Sequence, residues 1–249
     1  MTPGSTIGTA RRNPRLALPG VGWAGVTSDE QWLTAVWPRV RPHLPAPPAA
    51  VVEIGCGPLG GFVPRMRAAG YAAVGVDPDA PEGSWYHQVE FESYDMPEPA
   101  QAVVACTSLH HVADVAAVLD LISAALVPGG SLVVVEWARE RFDEATARWC
   151  FEHLPTAADP PGWLQQRHDE WRASGLPWPA YCQAWAEEEG LHAGQHIVRE
   201  LGTRFEHQAF SYGPYFFADL AGVSEGDEQA AIDAGMIQAN RISWVGLRQ

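Results

Sequence analysis

The chain has 249 residues, 47% of them hydrophobic, which is enough for one sizeable core or a core with a cap. Sixteen basic residues, all arginine, stand against thirty acidic ones, for a net charge of −14. That balance argues against a nucleic-acid partner, whose phosphates require a basic footprint, and against an anionic membrane surface. No apolar run reaches membrane-spanning length. Cys56, Cys106, Cys150 and Cys182 lie far apart with no C-x-x-C pair, so reduced thiols in a cytoplasmic protein are expected, with neither disulfide nor metal site.

Residues 1–18 read as a disordered leader, in which Arg11-Arg12 lacks the hydrophobic stretch of an export signal. A single domain is expected over 19–249. Its first element is a helix over 28–44, with Ser28 as N-cap, Gln31 three places later, and Trp32, Val36, Trp37 and Val40 on one face. Pro42, Pro45, Pro47 and Pro48 stiffen the link that closes this 28–48 segment.

A core then opens at residue 49. Val51-Val52-Glu53-Ile54 is a short apolar run ending near an acid, and Gly55-Cys56-Gly57-Pro58-Leu59-Gly60-Gly61 is a glycine-rich turn before a helix over 62–69. Residues 72–76 form the next apolar run, ending at Asp77. Glycines that let a ligand approach the backbone, followed about 20 residues later by an acid for ribose hydroxyls, describe a nucleotide-cofactor site on a parallel sheet. Gly55-x-Gly57-x-x-Gly60 also has dinucleotide spacing. Glu53 argues against that ligand, because a carboxylate at the strand's end repels a pyrophosphate and suits a cationic amino group.

The strand over 101–106 leads into Thr107-Ser108-Leu109-His110-His111-Val112. A helix carries Val115, Val118, Leu119, Ile122 and Leu126, and Pro128-Gly129-Gly130 stops it before the strand over 131–136. Strands apolar throughout and alternating with helices are parallel and buried on both faces.

Glu53-x-Gly55-x-Gly57 resembles motif I of the class I S-adenosylmethionine-dependent methyltransferases, with Leu59 where that motif usually has a third glycine. Leu-His-His-Val and Leu-x-Pro-Gly-Gly (Leu126 to Gly130) are similar to the methyltransferase domain of the ubiquinone and menaquinone type. The resemblance covers roughly residues 50–137. It implies an α/β, Rossmann-like three-layer sandwich with a seven-stranded, mostly parallel sheet and a helical cap inserted after strand 5. It divides the chain into a lid helix and linker (28–48), a cofactor-binding core (49–137), an acceptor cap (138–201) and C-terminal strands and helix (202–249). The implied cofactor is S-adenosyl-L-methionine, and the implied acceptor is a small molecule.

The cofactor residues implied are Glu53, Gly55, Cys56, Gly57 and Gly60 of the loop, and Asp77 with Pro78 for the ribose. Glu92 with Ser93 falls by the adenine, and Cys106 and Thr107 end the fourth strand. His110 and His111 follow that strand beside the expected sulfonium, where either can serve as the base that a hydroxyl, acidic carbon or protonated amine requires. Glu136 ends the fifth strand and either orients an acceptor or bonds a loop.

Helical stretches over 142–153, 161–173 and 179–189 make up the cap, which is rich in tryptophan. A strand over 205–212, a helix over 225–240 and a strand over 242–247 complete the chain. Trp137, Trp178, Tyr212 and Tyr215 are the expected wall for a flat or apolar acceptor. Three other functions fit parts of the pattern. A nicotinamide oxidoreductase shares the glycine spacing, and a cyclase or a binding protein without transfer chemistry can keep the same cofactor motifs. A nucleic-acid or protein methyltransferase is the third. The Asn/Asp-Pro-Pro-Tyr/Phe motif of nucleic-acid enzymes is absent after strand 4, where Thr107-Ser108-Leu109-His110 stands, and Asp159-Pro160-Pro161-Gly162 only superficially matches it.

Overall fold

The structure, a computed structural model, describes residues 27–156 and 161–249. The expected leader, the first residues assigned to the domain and Asp159-Pro160 lie outside the described residues.

Seven strands form one sheet: β1 (Ala50–Ile54), β2 (Ala72–Val76), β3 (Tyr86–His87), β4 (Ala100–Cys106), β5 (Leu126–Trp137), β6 (Phe205–Gly213) and β7 (Arg241–Arg248). Their order is β3-β2-β1-β4-β5-β7-β6. The first five run parallel, and β7 is antiparallel to both β5 and β6. The mostly parallel Rossmann-like sheet inferred from the alternation of apolar runs and helices is therefore present. Its first crossovers leave the carboxyl ends of β1, β4 and β5 side by side, the edge at which open α/β sheets bind ligands.

Eight helices flank the sheet among the described residues: α1 (Ser28–Val40), α2 (Val63–Ala68), α3 (Val115–Ala125), α4 (Glu144–Glu152), α5 (Trp163–Ser174), α6 (Trp178–Glu189), α7 (Gly194–Gly202) and α8 (Glu225–Asp233). Successive strand residues point to opposite faces. Val51, Val104, Val133 and Val135 accordingly join one apolar cluster with α1, α2 and the cap helices α4 to α6. Val52, Val103, Leu132 and Val134 join the other with α3 and α7. The cap is thus continuous with the core of the first face.

The cap expected over 138–201 divides in the structure. Helices α4 to α6 pack on the first face, whereas α7 lies under the sheet, where Ile197 and Leu201 meet Ile242 and Trp244. Gly194 lets α7 come this close: a Cβ there would stand 2.5 Å from Ile242 Cδ1 and 2.9 Å from Ala138 Cα.

The N-cap of α1 is Thr27 rather than the expected Ser28. Thr27 and Glu30 bond each other's backbone N–H reciprocally, which satisfies two of the helix's orphan donors. The α1 helix ends at Val40 and a 3-10 turn (Arg41–His43) carries the chain on, with Trp32, Val36 and Val40 buried against the sheet.

Candidate functional site

The glycine turn after β1 and the end of β4 border a small, partly open cavity of about 30 Å³. Glu53, Gly55, Cys56, Leu59, Gly61, Cys106 and Thr107 line it, and Asp29, Trp32 and Leu33 of α1 roof it. Gly55, Gly57, Gly60 and Gly61 all have positive φ, the region open mainly to glycine. Gly60 is packed against β3. A Cβ on it would strike the Tyr86 ring, so it lets the turn pass over β3, while Leu59 and Gly61 face the cavity.

Glu53 is fully buried. Its Oε2 accepts the Phe62 N–H at 2.7 Å, whereas Oε1 has no hydrogen-bond partner among the described residues. Burial pushes its carboxyl up to about 8, and the Asp77 charge adds to this against the opposing pull of the Phe62 and Val63 N–H groups. An orphaned buried carboxylate oxygen at a cavity wall is a defined place for a ligand ammonium group.

Asp77 follows β2. Its Oδ2 accepts the Gly57 N–H at 3.0 Å and its Oδ1 the Asp79 N–H at 2.7 Å. Each oxygen keeps a further lone pair, so the carboxylate is held in place and can still accept from a diol. Burial raises the Asp77 carboxyl above its ordinary range. Pro78, Glu92 and Ser93 are exposed, the last two on a 3-10 turn (Phe91–Ser93). Glu90, which the sequence reading passed over, has its carboxyl raised by burial and by the charges of Glu92, Asp77 and Asp79. These acids form a negative rim beside Asp77.

Thr107 is buried with φ 48°, an uncommon conformation for a β-branched residue. This turn carries Ser108 to His111 across the carboxyl ends of β4 and β5. His110 is buried, with Nδ1 2.6 Å from Glu136 Oε2. Glu136, also fully buried, accepts the Leu109 N–H at Oε1 (2.7 Å) and the Trp137 N–H at Oε2 (2.8 Å). The carboxylate therefore bonds the loop and the histidine together. With Nδ1–H donated to Glu136, the lone pair of the His110 ring is at Nε2. His111 packs against His110 with ring centroids 4.1 Å apart. Both its ring nitrogens are buried without partners among the described residues, and burial, with the neighbouring His110, pushes its pKa down to about 2.

Trp137 is at the centre of an aromatic cluster beside this pair. Its ring meets Phe142, Trp163, Trp185 and, edge-on, His110, and lies nearly parallel to Tyr215 at 6.0 Å and 12°. Its indole N–H is buried with no partner among the described residues. The structure thus brings Trp137 and Tyr215 together next to His110. It places the other two expected wall residues elsewhere. Trp178 is buried inside the cap, donating to the Phe142 carbonyl at 2.7 Å, and Tyr212 lies half-exposed beneath Arg141.

Sequence reasoning missed the three roof residues of α1, Gly61 and Glu90. The resemblance implies a lid helix within 28–48, with Trp32 on its predicted apolar face, but none of the three roof residues is assigned to the site. Among the described residues, no group of three or more His, Cys, Asp or Glu could hold a metal ion, and no helix is long and apolar enough to cross a membrane.

A seven-stranded sheet of this order, with a glycine turn and two strand-end acids at its carboxyl edge, is the fold of the class I methyltransferases. The chain belongs to the family described as methyltransferase domain, which matches residues 30–155. No curated protein matches it. Solved structures with the same fold include the N-methyltransferase NodS from Bradyrhizobium japonicum WM9 with S-adenosyl-L-homocysteine (TM-score 0.50, 14% identity, covering 89% of this chain and 88% of that one). Another is geranyl diphosphate C-methyltransferase from Streptomyces coelicolor A3(2), with Mg2+, geranyl diphosphate and S-adenosyl-L-homocysteine (0.50, 14%, 87% and 79%). A third is a complex between the Haloferax volcanii Trm112 methyltransferase activator and a methyltransferase (0.52, 13%, 89% and 91%).

Proposed function

We propose that the protein transfers a methyl group from S-adenosylmethionine to a small, flat or apolar acceptor in the cytoplasm, as an enzyme of the ubiquinone and menaquinone type. The observation that carries this reading is the unpartnered Oε1 of Glu53 in a glycine-lined cavity that also ends at Thr107, three residues before the His110–Glu136 pair. NodS and geranyl diphosphate C-methyltransferase, two neighbours of the same fold, were crystallised with S-adenosyl-L-homocysteine.

The residues present fit this cofactor. Glu53 would hold its amino group, and Asp77, aimed by the Gly57 and Asp79 N–H groups, would hold the ribose diol. When bound, the cofactor supplies an electrophilic methyl group on a sulfonium. The chain's part is then to place the acceptor in line with that methyl and to remove a proton where one must leave. Trp137 and Tyr215 supply the water-excluding wall for the acceptor, and Nε2 of His110 takes the proton. Glu136 stabilises the imidazolium formed, because their hydrogen bond becomes an ion pair. His111, with a pKa of about 2, packs under the pair and stays neutral. The core sets the cofactor, and the cap with the Tyr215 loop sets the acceptor.

Turnover tests the reading. Incubation with S-adenosylmethionine and a panel of small phenols, amines and carboxylic acids is expected to yield S-adenosylhomocysteine only with particular acceptors. Binding of NAD(H) in place of S-adenosylhomocysteine would overturn it. Tight cofactor binding with no methyl transfer to any small acceptor would favour a binding protein or cyclase. Asp77→Ala is expected to weaken S-adenosylhomocysteine binding at least tenfold, since two hydrogen bonds to a charged group, about 1.5–3 kcal/mol each, are lost. Calorimetry showing unchanged affinity in a folded variant would remove that role.

A further inference from the structure

Glu228 lies on α8, far along the chain from every cofactor motif, and is fully buried. Its carboxylate gathers three consecutive backbone N–H groups: Oε1 accepts from Tyr215 at 2.7 Å, and Oε2 from Phe216 at 2.9 Å and Phe217 at 2.6 Å. A loop wound on a buried anion in this way has one shape only, because each N–H would otherwise be orphaned and the charge left uncompensated. An apolar residue of similar size would fill the same space but leave all three N–H groups without this acceptor, so the carboxylate's contribution is to position the loop.

The positioned loop has two outputs. The Tyr215 ring stacks on Trp137 beside His110. The Tyr215 carbonyl accepts the indole N–H of Trp32 at 3.2 Å, and Trp32 is part of the roof over the Glu53 cavity. A second tether runs parallel to the first. Two turns further along α1, Arg39 bonds Glu225 at 2.7 Å, and Glu225 lies one turn before Glu228 on α8 and also bonds Arg241. One face of α1 is thus fastened to one face of α8, with the Tyr215 loop between them.

We propose that Glu228 is a positioning residue of the cofactor site. It acts through the Tyr215 backbone on Trp32, so that the roof of the cofactor cavity and the acceptor wall hold or yield together. This rests on the reading of that cavity as the S-adenosylmethionine site.

The probe is S-adenosylhomocysteine, with affinity measured by calorimetry on the full chain. Trp32→Phe keeps the ring and removes the N–H, and Glu228→Gln keeps the size and removes the charge. Each alone is expected to weaken binding about fivefold, and the double variant no more than the weaker-binding single, because both cut the same chain of contacts. Multiplying effects, or unchanged affinity in Glu228→Gln, would overturn the proposal. Amide hydrogen exchange on the unmodified protein tests it without relying on that variant to fold. S-adenosylhomocysteine is expected to slow exchange at Tyr215, Phe216 and Phe217, and Trp32→Phe to abolish the slowing. Binding with no response at these amides sinks the coupling alone. No binding by the unmodified protein sinks the cofactor reading and the coupling with it.

Discussion

Glu53→Gln is expected to make the protein more stable at pH 9 and to cripple its cofactor site. The folded-state pKa of about 8 lies above the ordinary value of 4.5. Folding therefore favours the protonated form. The destabilisation is absent below about pH 4.5, grows as the pH rises towards 8, and is constant above it. It amounts to roughly 5 kcal/mol at pH 9, which glutamine removes, raising the melting temperature by on the order of 10 °C. At pH 4.5 the two proteins should melt together. The ligand's ammonium group needs the ionised form, so the same substitution is expected to weaken S-adenosylhomocysteine binding about thirtyfold. Binding to the unmodified protein below pH 8 should release up to one proton, seen as a buffer-dependent enthalpy, and the variant should release none. Equal melting at both pH values would show that Glu53 is ionised in the empty site.

The second large effect belongs to the His110–Glu136 pair. His110→Ala is expected to lose about 10²–10⁴ in kcat, with S-adenosylhomocysteine affinity within about twofold, as removal of a general base does. Glu136→Gln should lose about 10–10² in rate, because its amide places an NH2 group among three donors, the Leu109 and Trp137 N–H groups and His110 Nδ1. His111→Ala should cost less than about tenfold, since a ring whose pKa burial pushes down to about 2 is too weak a base to take the proton. These rates are to be compared on whichever acceptor supports turnover. A His110→Ala protein that loses cofactor affinity in step with rate would show that the ring packs and does no proton transfer.

Legibility in the sequence followed burial. Strands β1, β2, β4 and β5 were readable because their central residues are buried on both faces and form short, largely apolar runs. Strand β3 has two residues and exists only through its pairing with β2, so no period announces it. Helix α8 stops at Asp233, well short of the expected 240, because Gly235 takes a positive φ and turns the chain towards β7. Helix α7 went unread because its buried face is small, chiefly Ile197 and Leu201 one turn apart, with a glycine at its start. In the site, Glu53 and Asp77 were legible because strand ends in a parallel sheet fix where an acid must stand. Trp32 and Tyr215 are 183 positions apart, and no local pattern pairs them. The aromatic residues show the same limit. Composition marked Trp137, Trp178, Tyr212 and Tyr215 alike, and only packing separates the pair beside His110 from the one that fills the cap and the one at the surface.

The sheet order carries an evolutionary consequence. Strands β5 and β6, which bracket the helical insertion, are not neighbours, because β7 lies between them. No ladder of backbone bonds ties the start of the inserted segment to its end, so its length is free of any register constraint. Helix α7 is anchored by its close fit against β7, and α4 to α6 are held by side-chain packing on the first face rather than by strand pairing. A lineage could exchange the helices before α7 for others of different size while β1, β2 and β4, with their glycine turn, stayed in place.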